Sequence, residues 1–201
     1  TEGATLSEGT REIASKWGVG GNVIPMSNDP VRTIVSTVSG EDLNFQDYFV
    51  RLAHDVEIAS IKFQGHEVAQ PTPELISEIL EANIILVAPS NPLVSIAPIL
   101  SIAGIRDALQ KRRKDVIAIS GIIGGKALKG PAGRLLNELG YEASAAAVAE
   151  IYQDIVGTFV IDDVDKHADQ QQDDANHEEN NVGLTAVGCV GHFRRDGSCH
   201  G

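Results

Sequence analysis

Two short aliphatic runs, NIILVA at 83–88 and DVIAIS at 115–120, set the tightest limit on what this chain can fold into. Each has strand length, and NIILVA is nearly unbroken, which predicts a strand buried on both faces of a parallel sheet. Parallel neighbours need a crossover. The intervening SIAPILSIAGIRDALQKRRK supplies one: it is apolar at helical spacing, and its basic end, Lys111 to Lys114, suits a helix C-terminus. Downstream, RLLNELG and EASAAAVAEIYQ read as helices and GTFVID as a final strand. The alternation predicts an α/β fold: a Rossmann-like, mostly parallel sheet with helices on both faces.

Upstream the pattern differs. Residues 5–16 are helical in period (Leu6, Ile13, Ala14) and stop at Gly18 and Gly20. From Asn22 the period falls to two through VIPM, VRTIVSTV and DLNFQDYFV, with Ser39-Gly40 as a turn, so an antiparallel β-hairpin inserted in the fold is expected. IASIKF gives another short strand ended by Gly65, and Thr72 and Pro73 are placed as N-cap and first residue of the helix ELISEILEA.

At 201 residues and 42% hydrophobic content, the chain can bury one sizeable core. Residues 1–165 form the expected α/β domain. Residues 166–201 are set apart, because HADQQQDDANHEENN has almost no apolar surface to offset its ordering entropy. A formal charge of -12 repels a polyanion, so nucleic acid is not an expected partner. That acidity suits either a high-salt cytoplasm or ordinary solubility. No stretch approaches the roughly 20 apolar residues that span a bilayer, no signal peptide is legible, and two cysteines make no disulfide framework. A cytoplasmic protein without a membrane partner is expected.

Ligands in open α/β sheets gather at the carboxyl ends of strands. Two loops occupy that position. PSNPLVSI offers Ser90, Asn91 and Ser95 as compact donors to phosphate oxygens, although Ser and Asn in such loops more often cap helices or form turns. IIGGKALKGPAG combines Gly124, Gly125 and Gly130 with the point charges of Lys126 and Lys129, without the spacing of a P-loop. The hairpin carries Asp29, Arg32, Phe45, Gln46 and Tyr48, a mixture able to stack on a flat heterocycle or simply to pack one aromatic face. Cys189, His192, Cys199 and His200 fit no common closed zinc spacing, and no histidine sits in a nucleophile–base pattern.

Five segments in order, VIPMSNDPVRT (23–33), NFQDYFVR (44–51), APSNPLVSIAPIL (88–100), SGIIGGKALKGPAG (120–133) and AAAVAEIYQD (145–154), resemble the 2-phospho-L-lactate transferase family. The likeness runs from about Gly3 to Asp165 and departs at Asn28, where the family more often has Asp. It implies a Rossmann-like fold, a homodimer, and transfer of a phospholactyl or phosphoenolpyruvyl group. The donor would be a guanosine diphosphate adduct (guanylylated phospholactate), the acceptor the ribityl hydroxyl of the deazaflavin Fo, and GMP the leaving group, with Mg2+ present, in coenzyme F-420 biosynthesis. By the resemblance, Ser90, Asn91, Ser95, Lys126 and Lys129 hold the donor phosphate, and Met26, Phe45 and Gln46 face the deazaflavin. Asp29 is the carboxylate for orienting the hydroxyl or a metal-bound water.

The family's glycine-rich amino-terminal strand-loop-helix, where the acidic Mg2+ ligands are expected, finds no counterpart in these residues. Beyond VGLTAV (182–187) the tail GCVGHFRRDGSCHG reads as atypical. Weak binding and poor turnover by the chain as given are therefore expected. Two other classes compete: a non-catalytic regulator that binds nucleotide-sugars, which should lack NFQDYFVR, and an interaction fragment that retains no deazaflavin.

Overall fold

The computed structural model describes residues 3–53, 55–127 and 130–165, and the backbone of 183–186. Lys129, the histidines at 54 and 167, and the cysteines and histidines from 189 to 200 lie outside the described residues.

Helix α1 (Leu6–Lys16) starts on a reciprocal cap: the Thr5 hydroxyl accepts from the Glu8 amide while the Glu8 carboxylate accepts from the Thr5 amide. Strands β1 (Arg32–Thr37) and β2 (Asp42–Asn44) form the expected hairpin around Gly40, which has φ +88°. β3 (Ile58–Gln64) joins the other side of β1, so the insert is a three-stranded antiparallel sheet in the order β2-β1-β3. VIPM is not a strand; Ser27 makes only an isolated bridge to Pro71.

DLNFQDYFV also stops being a strand after Asn44. Residues Asp47–Arg51 wind into a π-helical turn instead. Its apolar positions, Phe45, Tyr48, Phe49 and Leu52, fall three and four apart, which is a helical rather than a strand period. Tyr48 is fully buried against Val35, Leu43, Ile58 and Leu135, and fixes this turn to the antiparallel sheet.

The parallel sheet holds β4 (Ile85–Val87), β5 (Val116–Ile119), β8 (Thr158–Ile161) and β9 (Gly183–Ala186) in that order, all pairs parallel. A small hairpin, β6 (Ile122–Ile123) with β7 (Lys126–Ala127), follows β5 and turns at Gly124-Gly125, both at positive φ. The class is therefore α/β with a parallel sheet, as the aliphatic runs predict. β9 lies beyond the compositional boundary at 165.

Helices α2 (Leu75–Glu81), α4 (Ile105–Lys111), α5 (Ala132–Glu138) and α6 (Ala145–Tyr152) bury their apolar sides against Val116, Ala118 and Phe159. On the opposite face of the sheet Leu86 stays 65% exposed and Ile119 38% exposed. NIILVA is thus buried on one face among the described residues, a distinction that an unbroken aliphatic run cannot encode.

The long helix expected after β4 is broken. A π-helical turn (Pro92–Ile96) runs into α3 (Ala97–Leu100), and α4 departs at 90° after Gly104, which takes φ +83°. Nor is Thr72 the cap of α2: it is buried, its hydroxyl donates to the Pro25 carbonyl, and the helix begins two residues later, past Glu74.

Candidate functional site

The carboxyl ends of β4 and β5 bring the two sequence-predicted loops together. A Cβ added at Gly121 would stand 3.6 Å from the Ser90 carbonyl oxygen, so the chain after β5 passes directly beside the loop after β4. Between them opens a cleft of about 660 Å3, within the range of small-molecule sites. Ser90, Asn91 and Ser95 line one side, Gly121, Gly130 and Pro131 the floor, and Phe45 and Phe49 of the aromatic turn the remaining wall.

Asn91 is committed locally. Its Oδ1 accepts from the Leu93 amide at 2.9 Å and the Val94 amide at 3.3 Å, and its carbonyl accepts from the Ser95 and Ile96 amides. This is the N-cap reading of the loop, with Pro92 at the first helical position. The hydroxyls of Ser90 and Ser95 sit on exposed residues and are polar side-chain groups this loop offers to a ligand.

The second loop is held from below. The Ser120 hydroxyl donates to the Ile122 carbonyl and accepts from the Ile122 amide, while the Gly124 amide donates to Oδ1 of the buried Asp165 at 2.9 Å. Lys126 does not line the main cleft; it lines an adjoining hollow with Gly125, Gly130 and Pro131.

The remaining predicted residues divide. Phe45 lies on the cleft wall, with its ring 5.4 Å from that of Phe49 and inclined by 23°. Gln46 is exposed at the start of the turn and outside the lining. Met26 packs on the main core, and its carbonyl accepts from the Thr72 amide. Asp29 accepts from the Gln70 amide at 2.9 Å, which ties residues 25–30 to 70–72 and leaves its carboxylate away from the cleft lining. Arg32 begins β1, opposite Gln64. Phe49, 39% exposed, is a cleft residue the sequence reading missed; its signal was the i, i+4 aromatic pair with Phe45.

Outside the cleft lining, Arg106 of α4 clamps Asp154 just after α6 through bonds of 2.5 and 2.7 Å, and Gln110 adds a third at 2.7 Å. Burial pushes the Asp154 carboxyl up, but the Arg106 and Gln110 bonds outweigh it and hold the group below its usual range. Burial pushes the Tyr48 hydroxyl up, and the nearby Glu138 charge adds to the effect.

Mg2+ needs an octahedral oxygen shell, often of one or two carboxylates plus substrate phosphates. Among the described residues no three His, Cys, Asp or Glu side chains converge on a point, so none is assigned to a metal. Among the described residues, too, no single helix is long and apolar enough to cross a membrane.

Comparison with known proteins places this geometry. The family model described as 2-phospho-L-lactate transferase CofD matches residues 1–189. The chain is 37% identical over 165 residues to a 2-phospho-L-lactate transferase of Methanosarcina mazei, covering 82% of this chain and 54% of that protein. It is 40% identical over 171 residues to one of Methanococcoides burtonii, covering 85% and 55%. A phosphoenolpyruvate transferase of Kitasatospora aureofaciens is 38% identical over 172 residues, covering 84% and 54%. The chain thus spans about half the length of the curated relatives it matches. Two crystal structures of protein BH3568 of Bacillus halodurans, one of them described as a member of the UPF0052 family, share the fold. They have TM-scores of 0.52 and 0.57 at 17% and 16% identity, covering 78% and 91% of this chain and 48% and 59% of theirs. With the matched model running through both cleft loops and the aromatic turn, the chain belongs to the 2-phospho-L-lactate transferase family.

Proposed function

We propose that this protein serves in coenzyme F-420 biosynthesis as a transferase. In this reading the ribityl hydroxyl of Fo attacks the phosphorus that carries the three-carbon acid in a guanosine diphosphate adduct. The bond from that phosphorus to the guanylyl phosphate breaks, GMP leaves, and the hydroxyl proton passes to water. The observation that carries the reading is the shared cleft where the loops after β4 and β5 meet the aromatic turn, within a chain of this family.

Phospholactyl and phosphoenolpyruvyl donors both fit, because relatives named for either match at similar identity. Ser90, Ser95 and Lys126 are the predicted polar residues whose side chains face the cleft or its neighbouring hollow, with Lys129 as their partner in the same loop. Asn91 and Asp29 act here by fixing backbone. Mg2+, brought with the donor's phosphates, would neutralise charge on the phosphoryl oxygens. A cytoplasmic homodimer, without a nucleic-acid partner, completes the proposal.

The test is a single-turnover reaction with protein in excess over Fo, plus guanylylated phospholactate and Mg2+, so that slow chemistry still registers. The expected result is a more anionic fluorescent product with one GMP released per Fo consumed. Unchanged Fo and no GMP would overturn the assignment.

A further inference from the structure

The parallel sheet is finished on one side only. Sheets whose strands all run parallel occur almost exclusively with both faces covered. Here α4, α5 and α6 pack on the face of Val116, Ala118 and Phe159, while among the described residues Leu86 and Ile119 stay open on the other. Ile84, just before β4, is likewise exposed.

Topology explains why that face is bare. The connections from β4 to β5 and from β5 to β8 step the same way across the sheet, and right-handed crossovers that step one way place their helices on one face. A right-handed crossover that covers the other face must step the opposite way. It would pass the edge strand β4, whose outer side carries no strand among the described residues.

A second bare surface lies on α1. Leu6, Ile13 and, at the C-cap, Trp17 fall at i, i+7 and i+11 on one stripe. All three are more than half exposed, Trp17 by 81%. The helix is held instead through its buried Ser7, whose amide and hydroxyl both donate to Oδ1 of Asn28. A surface helix ordinarily turns its large apolar residues to the core, so this stripe has the chemistry of an interface.

The curated relatives point to the occupant. This chain spans about half their length, so a protein of family length carries a second portion of similar size. We infer that the bare sheet face with the β4 edge, and the α1 stripe, are docking surfaces for that second portion. It extends the sheet beside β4 and lays apolar side chains over Leu86 and Ile119 and over Leu6, Ile13 and Trp17. Family length carries this, not the identity of the reaction, so it stands or falls apart from the transferase reading.

The probe is the portion of the Methanococcoides burtonii 2-phospho-L-lactate transferase outside the 171 aligned residues, refolded from urea together with the full 201-residue chain. Trp17 is the single tryptophan of this chain, so 5-fluorotryptophan labelling gives one fluorine signal that reports on the stripe. The expected result is a one-to-one complex by light scattering, with the Trp17 signal shifted. Leu86→Lys, at an exposed position, should leave the urea midpoint of the chain alone unchanged and weaken the complex at least about tenfold, because docking would bury the charge. No complex, or a complex that Leu86→Lys does not weaken or that leaves the Trp17 signal unmoved, would overturn the inference. So would a homodimer of the chain alone that Leu86→Lys dissolves, which would make a second copy the occupant. A fall in the urea midpoint of Leu86→Lys by itself would also overturn it, by showing that the chain's own residues cover the face.

Discussion

Replacing Asn91 by alanine separates a structural cap from a phosphate ligand. The substitution deprives the Leu93 amide of an acceptor at 2.9 Å and the Val94 amide of a longer one at 3.3 Å, at a half-buried position where water can restore only part of the loss. Loss of such a cap typically costs ~1 kcal/mol, within a range of about 0.5–2. Two bonds, one of them weak, point to about 1–1.5 kcal/mol here. For a protein of this size that corresponds to a fall in Tm of roughly 2–6 °C. Asn91→Asp keeps the acceptor and adds favourable charge at the start of the turn, so it should stay within about 0.5 kcal/mol of wild type. Urea and thermal unfolding followed by circular dichroism measure both. The reasoning fails if alanine is neutral, or if aspartate costs as much as alanine.

Three further outcomes follow from packing and charge. Gly157→Ala would put a Cβ 2.5 Å from the Arg113 carbonyl oxygen and 3.0 Å from the Lys114 Cα, both backbone, so urea unfolding should show a loss near the upper end of the ~1–3 kcal/mol typical of overpacking. Tyr152→Phe removes a buried hydroxyl that has no hydrogen-bond partner among the described residues, and should leave stability unchanged or raise it by up to about 1 kcal/mol; a clear loss in the same assay would reveal a hidden partner. Asp154 has a lowered pKa in the folded state, so its contribution is present above the unfolded value near ~4 and is lost as pH falls through the folded value. Because the pair is about a third exposed, Asp154→Asn should cost under about 1 kcal/mol at pH 7, and that cost should shrink as pH falls below the ordinary carboxylate range when urea midpoints are compared.

The parts of this fold that were legible in sequence are those whose period is enforced by burial. The aliphatic runs became β4 and β5, the hairpin formed around Gly40, and both loops reached one cleft because parallel strands deliver their carboxyl ends to one edge. What was not legible depends on tertiary partners. The apolar stretch after Ser90 cannot announce that Gly104 turns the helix axis by 90°, and an unbroken run cannot say that Leu86 faces outward. The resemblance makes Asp29 the carboxylate for orienting the hydroxyl; that it also holds the Gln70 amide is visible only in the fold. Phe49 was hidden because alternation through DLNFQDYFV suggested a strand, in which Phe45 and Phe49 would still share a face but would not form a stacked pair on one helical turn.

The most direct measurement of the central claim is amide hydrogen exchange with and without saturating Fo. The account predicts slowed exchange in 45–52, 89–96 and 121–123, the three segments that enclose the cleft, and little change in α1 or in residues 58–64. Protection confined to other parts of the chain, with those three segments unaltered, would contradict it.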